Sequence, residues 1–145
     1  MHRTFAVYTL GCKVSQYESE AILEEAARAG FTPVEEGADV AVINTCTVTA
    51  EGDRKCRQLI RRLVRQSPET KIMVCGCYSQ VSPESVSAID GVAYVCGTQN
   101  KLRTVERALE LLDGKAIPKI EVAPLAGAVL HIYELECFGI IVRLI

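Results

Sequence analysis

Short apolar runs alternate with longer amphipathic segments over most of the chain. The runs have the length and composition of buried β-strands, and they cover residues 4–10, 39–44, 71–75 and 92–96. The segments between them repeat apolar residues at the spacing of an α-helix. Strands and helices that alternate in this way predict an α/β fold with three layers. A mainly parallel sheet of about four to five strands would have helices on both faces, as in flavodoxin-like and Rossmann-like domains.

Turn and capping residues set the limits of the predicted helices. The helices are expected from Ser15 to the turn at Gly30, over 50–66, over a short stretch that Ser82-Pro83-Glu84 opens, and over 101–112. Ser15 and Glu18 have the spacing of a capping box, which predicts that the first helix begins at Ser15. The last helix is expected to turn Leu102 toward the core. The segment GCYSQ, after the third strand, is predicted to be a loop.

Length and composition fit a single globular domain. The chain has 145 residues, of which 49% are hydrophobic and 23% are charged. We expect the domain to occupy residues 1–114, and residues 115–145, which Pro118, Pro124 and Gly127 interrupt, to form an irregular or divergent tail. No segment reaches the roughly 20 apolar residues that cross a membrane, and the N-terminus lacks the pattern of a signal peptide. We therefore interpret the protein as cytoplasmic, with no membrane partner.

Three of the seven cysteines follow predicted strands directly. Cys12, Cys46 and Cys77 come after the first, second and third strands, and turn-forming residues flank each of them. Parallel strands bring their carboxyl ends to one edge of the sheet, so three thiolates would meet there and could hold an iron–sulfur cluster or zinc. Free cysteines also pack as small apolar residues, and the spacing alone leaves these two interpretations equally weighted.

The other four cysteines give weaker signals. Cys56 lies on the apolar face of the second predicted helix, and Cys75 lies inside a strand. Both are predicted to be core residues, and core packing is also favoured for Cys96 at the end of the fourth strand. Cys137 lies in the predicted tail and supports no interpretation.

Four segments carry a resemblance to a known family. "TLGCKVSQYESEAI", "INTCTVTAEGDRKCRQLIRR", "VCGCYSQVSPE" and "VCGTQNK" resemble, in this order, the N-terminal domain of the radical-SAM methylthiotransferases, over about residues 4–113. The resemblance implies an auxiliary [4Fe–4S] cluster held by Cys12, Cys46 and Cys77. Three ligands for four irons would leave one iron open to a sulfur donor.

The first of these motifs also indicates a branch of the family. It is most similar to the enzymes that add a 2-methylthio group to N6-threonylcarbamoyladenosine at position 37 of tRNA, although Ser15 stands where they usually have asparagine. The isopentenyladenosine branch and the ribosomal-protein branch are the alternatives within the family. Outside it, a non-enzymatic flavodoxin-like module and a zinc-binding module stay open.

The chain lacks one motif that the resemblance leads us to expect. The catalytic domain of the family binds S-adenosylmethionine and a second [4Fe–4S] cluster through a C-x3-C-x2-C motif, which this sequence does not contain. The radical-SAM and RNA-binding domains are therefore expected to be absent here, and the chain to be incomplete for catalysis. Whether it is an enzyme by itself, and its oligomeric state, are left open.

A row of arginines is the candidate contact for RNA. The formal net charge is −2, so any basic surface must be local. Arg54, Arg57, Arg61 and Arg65 recur at helical spacing and could contact phosphates of tRNA, although the solvated face of an amphipathic helix explains them at least as well. Asn44, Tyr78 and Gln80 would lie near the predicted thiol edge, where they could line the approach of a substrate or be ordinary polar loop residues.

Overall fold

One sheet of six parallel strands forms the centre of the computed structural model, which describes residues 3–11, 13–45, 50–99 and 101–123. The strands are β1 (Thr4–Leu10), β2 (Thr32–Pro33), β3 (Val40–Thr45), β4 (Lys71–Gly76), β5 (Val92–Cys96) and β6 (Ile120–Glu121). Their order across the sheet is β2-β1-β3-β4-β5-β6, and every neighbouring pair is parallel. The predicted α/β class is confirmed.

Helices cover both faces of this sheet. They are α1 (Lys13–Arg28), α2 (Ala50–Gln66), α3 (Cys77–Val81), α4 (Pro83–Ser87) and α5 (Arg103–Leu112). Residues of α2, α3 and α4 pack with Ala41 and Ile43 on one face, whereas residues of α1 and α5 pack with Val40 and Val42 on the other. Because β3 is buried on both faces, its sequence is apolar without alternation, as expected of a central parallel strand.

The strand count is slightly higher than predicted. The additional strands are the two edges, β2 and β6, and each is only two residues long. The residues of β2 are exposed and include Pro33, so no run of apolar or alternating residues marks this strand in the sequence. β6 lies within the segment 115–145 that was expected to be irregular.

Three local predictions are wrong. α1 begins at Lys13, so Ser15 is a buried residue inside the helix and not its cap. The segment GCYSQ does not form a loop, since Cys77 begins the short helix α3. α5 begins at Arg103, and Leu102 just before it is 51% exposed. Within the described residues, no helix is long and apolar enough to cross a membrane.

Candidate metal centre and basic surface

The strands β1, β3 and β4 end at the same level of the sheet. Leu10 is paired with Thr45, and Thr45 is paired with Gly76, so the last residues of the three strands form one row. Neighbouring strands lie about 4.8 Å apart, which puts the outer two of these strand ends within about 10 Å of each other. The three cysteine positions of the sequence motifs follow this row within two residues.

Gly76 lets the chain pass close to β3 at the row. Its φ is +113°, and a Cβ built on it would lie 2.0 Å from the carbonyl oxygen of Thr45. Only a residue without a side chain fits here, because the conformation is left-handed and the space is already filled by backbone. The side chain of Thr45 adds a further tie by donating a hydrogen bond to the carbonyl oxygen of Cys75 at 2.9 Å.

Cys77 is the one predicted ligand that lies within the described residues. It is partly exposed and directly follows Gly76 as the first residue of α3. Cys12 and Cys46 lie outside the described residues, so their part in the site stays a prediction. Among the residues that the structure describes, no three His, Cys, Asp or Glu side chains are grouped so as to hold a metal ion.

A cluster ligand at Cys77 fits what is described of this edge. The thiol is not buried in the core, and a thiolate is the donor that iron–sulfur clusters use. By contrast, Cys56, Cys75 and Cys96 are fully buried, as predicted for core cysteines. Burial raises the pKa of Cys56 to about 11, with a smaller contribution from the carboxylate of Asp53. A hydrogen bond with Cys96, together with burial, raises the pKa of Cys75.

Tyr78 connects α3 to the beginning of α2. Its hydroxyl donates a short hydrogen bond to Oδ1 of Asp53, which also accepts one from Nε of Arg57 at 2.8 Å. The bond from Tyr78 is the main reason that the pKa of Asp53 is lowered. The pKa of Tyr78 is raised, first by burial and then by this bond. Asp53 thus ties the helix that starts at Cys77 to the helix that follows the Cys46 segment.

A buried polar network lies beneath the carboxyl edge on the other face. Lys101 is 8% exposed, and its ammonium group donates to Glu18 at 2.5 Å and to Oδ1 of Asn44 at 3.0 Å. The Asn44 amide donates in turn to the Ser15 carbonyl oxygen at 2.9 Å and to Oγ of Ser19 at 3.2 Å. Asn44 is therefore an internal residue that joins α1, β3 and the segment before α5, and it does not line a substrate approach.

Tyr78 and Gln80 also serve the fold. Tyr78 is buried, and both the nitrogen and the oxygen of the Gln80 side-chain amide form hydrogen bonds. The Gln80 nitrogen donates to the carbonyl oxygen of Ala123 at 2.8 Å, and its oxygen accepts from the Thr98 amide at 3.0 Å. These contacts hold α3 to the ends of β5 and β6. Of the two interpretations left open for Asn44, Tyr78 and Gln80, the structure shows neither: their side chains are structural ties.

The four arginines predicted for RNA contact fall into two groups. Arg54 pairs with Glu51 at 2.6 Å, and Arg57 pairs with Asp53 at 2.8 Å, so first-turn acids of α2 neutralise both. Arg61 and Arg65 instead line a groove between α2 and the last residues of β1. Lys55 and Arg62 line it as well.

One feature of the site was missed at the sequence level. The pairing of Glu18 with Lys101 joins residues 83 positions apart, and no local spacing signals such a contact. Lys55 and Arg62 flank the row of arginines in the sequence, and the structure places both in the groove.

The parallel sheet with helices on both faces defines a doubly wound α/β domain. The family model described as "Uncharacterized protein family UPF0004" matches residues 4–97, and the chain belongs to this family.

Relatives of known activity support the same grouping. A threonylcarbamoyladenosine tRNA methylthiotransferase MtaB from Bacillus subtilis (strain 168) is 54% identical over 112 residues, which are 76% of this chain and 24% of that protein. The protein with the same name from Aquifex aeolicus (strain VF5) is 37% identical over 117 residues, covering 77% of this chain and 28% of the relative. A tRNA-2-methylthio-N(6)-dimethylallyladenosine synthase from Staphylococcus saprophyticus is 31% identical over 125 residues, covering 81% and 24%.

These matches confirm the resemblance to the N-terminal domain of the methylthiotransferases. The chain spans about a quarter of the length of these relatives. A solved structure of the Salmonella typhimurium RcsB response regulator has a similar fold, with a TM-score of 0.57 over 94% of this chain and 70% of the other. At 14% sequence identity, that likeness concerns the fold alone.

Proposed function

We propose that this chain is the auxiliary-cluster domain of a tRNA methylthiotransferase and that Cys12, Cys46 and Cys77 hold a [4Fe–4S] cluster. The observation that carries the proposal is the common level of Leu10, Thr45 and Gly76, because each of these residues comes just before one of the three cysteines. Three thiol-bearing segments leave the sheet from adjacent strands, in a spacing of about 4.8 Å per strand.

The role of the protein residues in this site is to position ligands. The Gly76 conformation allows β4 to approach β3, and the Tyr78–Asp53 bond ties the beginning of α2 to α3. Such ties fix the described elements next to the proposed ligands, β3, β4, α2 and α3, relative to one another, which would lower the cost of ordering a metal site there. A cluster with three cysteine ligands supplies one iron with an open coordination position, where a sulfur donor could bind.

The parent reaction we propose is the transfer of a 2-methylthio group to N6-threonylcarbamoyladenosine at position 37 of tRNA, in the cytoplasm. The relatives named for threonylcarbamoyladenosine tRNA support this branch over the dimethylallyladenosine branch, since their identities of 54% and 37% exceed 31%. S-adenosylmethionine and a second [4Fe–4S] cluster would act in a longer enzyme, on a C-x3-C-x2-C motif that this chain does not contain. The ribosomal-protein branch is the remaining alternative.

Anaerobic reconstitution with iron and sulfide tests the cluster. We expect a brown protein with about four irons per chain, and we expect Cys12→Ala, Cys46→Ala and Cys77→Ala each to lose most of the iron and the visible absorption. Cys56→Ala is the matched control, because Cys56 is a fully buried core residue of α2, and it should retain the iron.

Two results would contradict the proposal. Equal iron content in all four variants would contradict the assignment of Cys12, Cys46 and Cys77 as cluster ligands. Protein purified without oxygen that holds zinc and cannot exchange it for a cluster would favour the zinc-binding alternative.

A further inference from the structure

A groove with a basic wall lies between α2 and the carboxyl half of β1. It has a volume of about 710 Å³, and its walls include Lys55, Arg61, Arg62 and Arg65 on one side and Tyr8 and Leu10 on the other. None of the described lining residues is acidic. A protein with a formal net charge of −2 thus concentrates four cations along three turns of one helix.

These cations are not neutralised within the described part of the chain. Arg61, Arg62 and Arg65 take part in none of the ion pairs found there. Among the described residues Lys55 pairs with Glu51, at 3.9 Å, and both side chains are more than half exposed, so this pair is weak. Four like charges at helical spacing repel one another, and a bound polyanion would remove that repulsion.

The opposite wall is firm and partly apolar. Tyr8 packs against the core beneath α2, and its hydroxyl donates a hydrogen bond to the Glu35 carbonyl oxygen at 2.8 Å. In the described residues β2 pairs only with Thr4 and Phe5, so the carboxyl half of β1 borders the groove without a strand on its outer side. The groove therefore has one charged wall and one wall of packed side chains and strand backbone.

The groove reaches one end of the row of strand ends. Leu10 lines the groove and is also the first member of the row Leu10, Thr45 and Gly76.

We propose that this groove binds the phosphodiester backbone of RNA, with Arg61, Arg62 and Arg65 as its phosphate contacts. The inference rests on the proposed function, which gives RNA as the substrate, and it assigns the contact to this groove. Three guanidinium groups favour phosphates because each presents a planar fork of donors. Arg54 and Arg57 are excluded from the contact set, since neither lines the groove and each pairs with an acid on its own helix, at 2.6 and 2.8 Å. An acidic protein segment is the alternative ligand, which the experiment below tests.

Fluorescence anisotropy with a labelled RNA stem-loop tests the groove on the 145-residue chain. The variant replaces Arg61, Arg62 and Arg65 by alanine. The matched control replaces Arg3, Arg28 and Arg103 by alanine, which removes the same charge from side chains that are ion-paired in the structure.

The expected effect follows from counterion release. At about 0.7 released ions per phosphate contact, three contacts account for about 2 units of the slope of log K against log salt. At about 0.1 M salt this corresponds to a loss of affinity of about 100-fold in the groove variant. The control should keep the slope of the unmodified protein.

Three results would overturn the inference. They are failure of the unmodified protein to bind RNA at low salt, an equal loss in the groove variant and the control, and competition by polyglutamate as effective as by RNA of the same charge. The last would identify an acidic protein segment as the ligand.

Iron content after reconstitution separates the two proposals. The groove variant should load as much iron as the unmodified protein. If the protein loads iron but does not bind RNA, only the groove proposal is contradicted. If RNA binding depends on the groove but no iron is loaded, only the cluster proposal is contradicted.

Discussion

Replacement of Gly76 by alanine should destabilise the protein more than the same change at Gly30. Both glycines have a left-handed backbone, with φ of +113° and +100°, so an L-residue costs about 1–2 kcal/mol at either position. They differ in their surroundings. A Cβ on Gly30 has nothing within 4 Å, whereas a Cβ on Gly76 would lie 2.0 Å from the carbonyl oxygen of Thr45.

The added cost at Gly76 can be built from the contacts. The new methyl group would force β3 and β4 apart at their last rung, and overpacking of this kind costs about 1–3 kcal/mol. Displacing Thr45 would also weaken the hydrogen bond from its hydroxyl to the Cys75 carbonyl oxygen, which is worth about 1 kcal/mol. We therefore expect Gly76→Ala to lower the free energy of unfolding by about 3–6 kcal/mol and Gly30→Ala by about 1–2 kcal/mol.

Urea unfolding at 25 °C measures this difference directly. The two variants should share the slope m, so that the midpoints report stability. In a thermal melt the gap between them should be about 2–4 °C per kcal/mol for a chain of this size. A difference below about 0.5 kcal/mol between the two variants would refute the close approach of Gly76 to Thr45.

Three further changes probe the contacts around the edge. Tyr78→Phe removes the hydrogen bond to Asp53 and should cost about 1–2 kcal/mol in urea unfolding, and no loss would mean that the bond does not persist in solution. Lys101→Met leaves Glu18 without its ion-pair partner, so we expect the free energy of unfolding to fall by about 1–3 kcal/mol. Adding Glu18→Gln should restore part of this loss. If the double variant is no more stable than the single one, the pair is not coupled. Glu121 has a pKa lowered from 4.5 to about 2, chiefly by its hydrogen bond with Arg107. Its ionised form stabilises the fold above about pH 4.5, and this contribution disappears as the pH falls toward 2. Glu121→Gln should therefore flatten the dependence of Tm on pH in that range, and an unchanged slope would contradict the assignment.

The central strands and long helices could be predicted because burial gives them a strong pattern. β3 is buried on both faces, so its apolar run is unbroken, and α2 has one clear apolar stripe. β2 could not be predicted, since two exposed residues at a sheet edge carry no periodicity, and β6, also two residues long, leaves no pattern that fixes its position. Ser15 was misassigned as a helix cap for a different reason. Its spacing to Glu18 fits a capping box, but the helix starts two residues earlier and buries it.

The candidate site was predictable in part. The position of Cys77 after a strand end follows from the apolar run before it, and the structure places it at the row of strand ends. The division of the arginines could have been predicted from spacing, because Glu51 and Arg54 are three residues apart, and Asp53 and Arg57 four residues apart, on one helix. The ion pair of Lys101 depends on a contact that only the folded chain creates.

The level ends of β1, β3 and β4 also separate the proposed ligand at Cys77 from the hydrogen bonds of the sheet. In the described residues the pairing of these strands ends at Leu10, Thr45 and Gly76, and Cys77 follows as the first residue of α3. Exchanging a donor there, as in Cys77→His, would change a soft ligand for a borderline one without removing a hydrogen bond from the ladder. Variants with different ligand residues after the strand ends can thus be compared while the sheet stays unchanged.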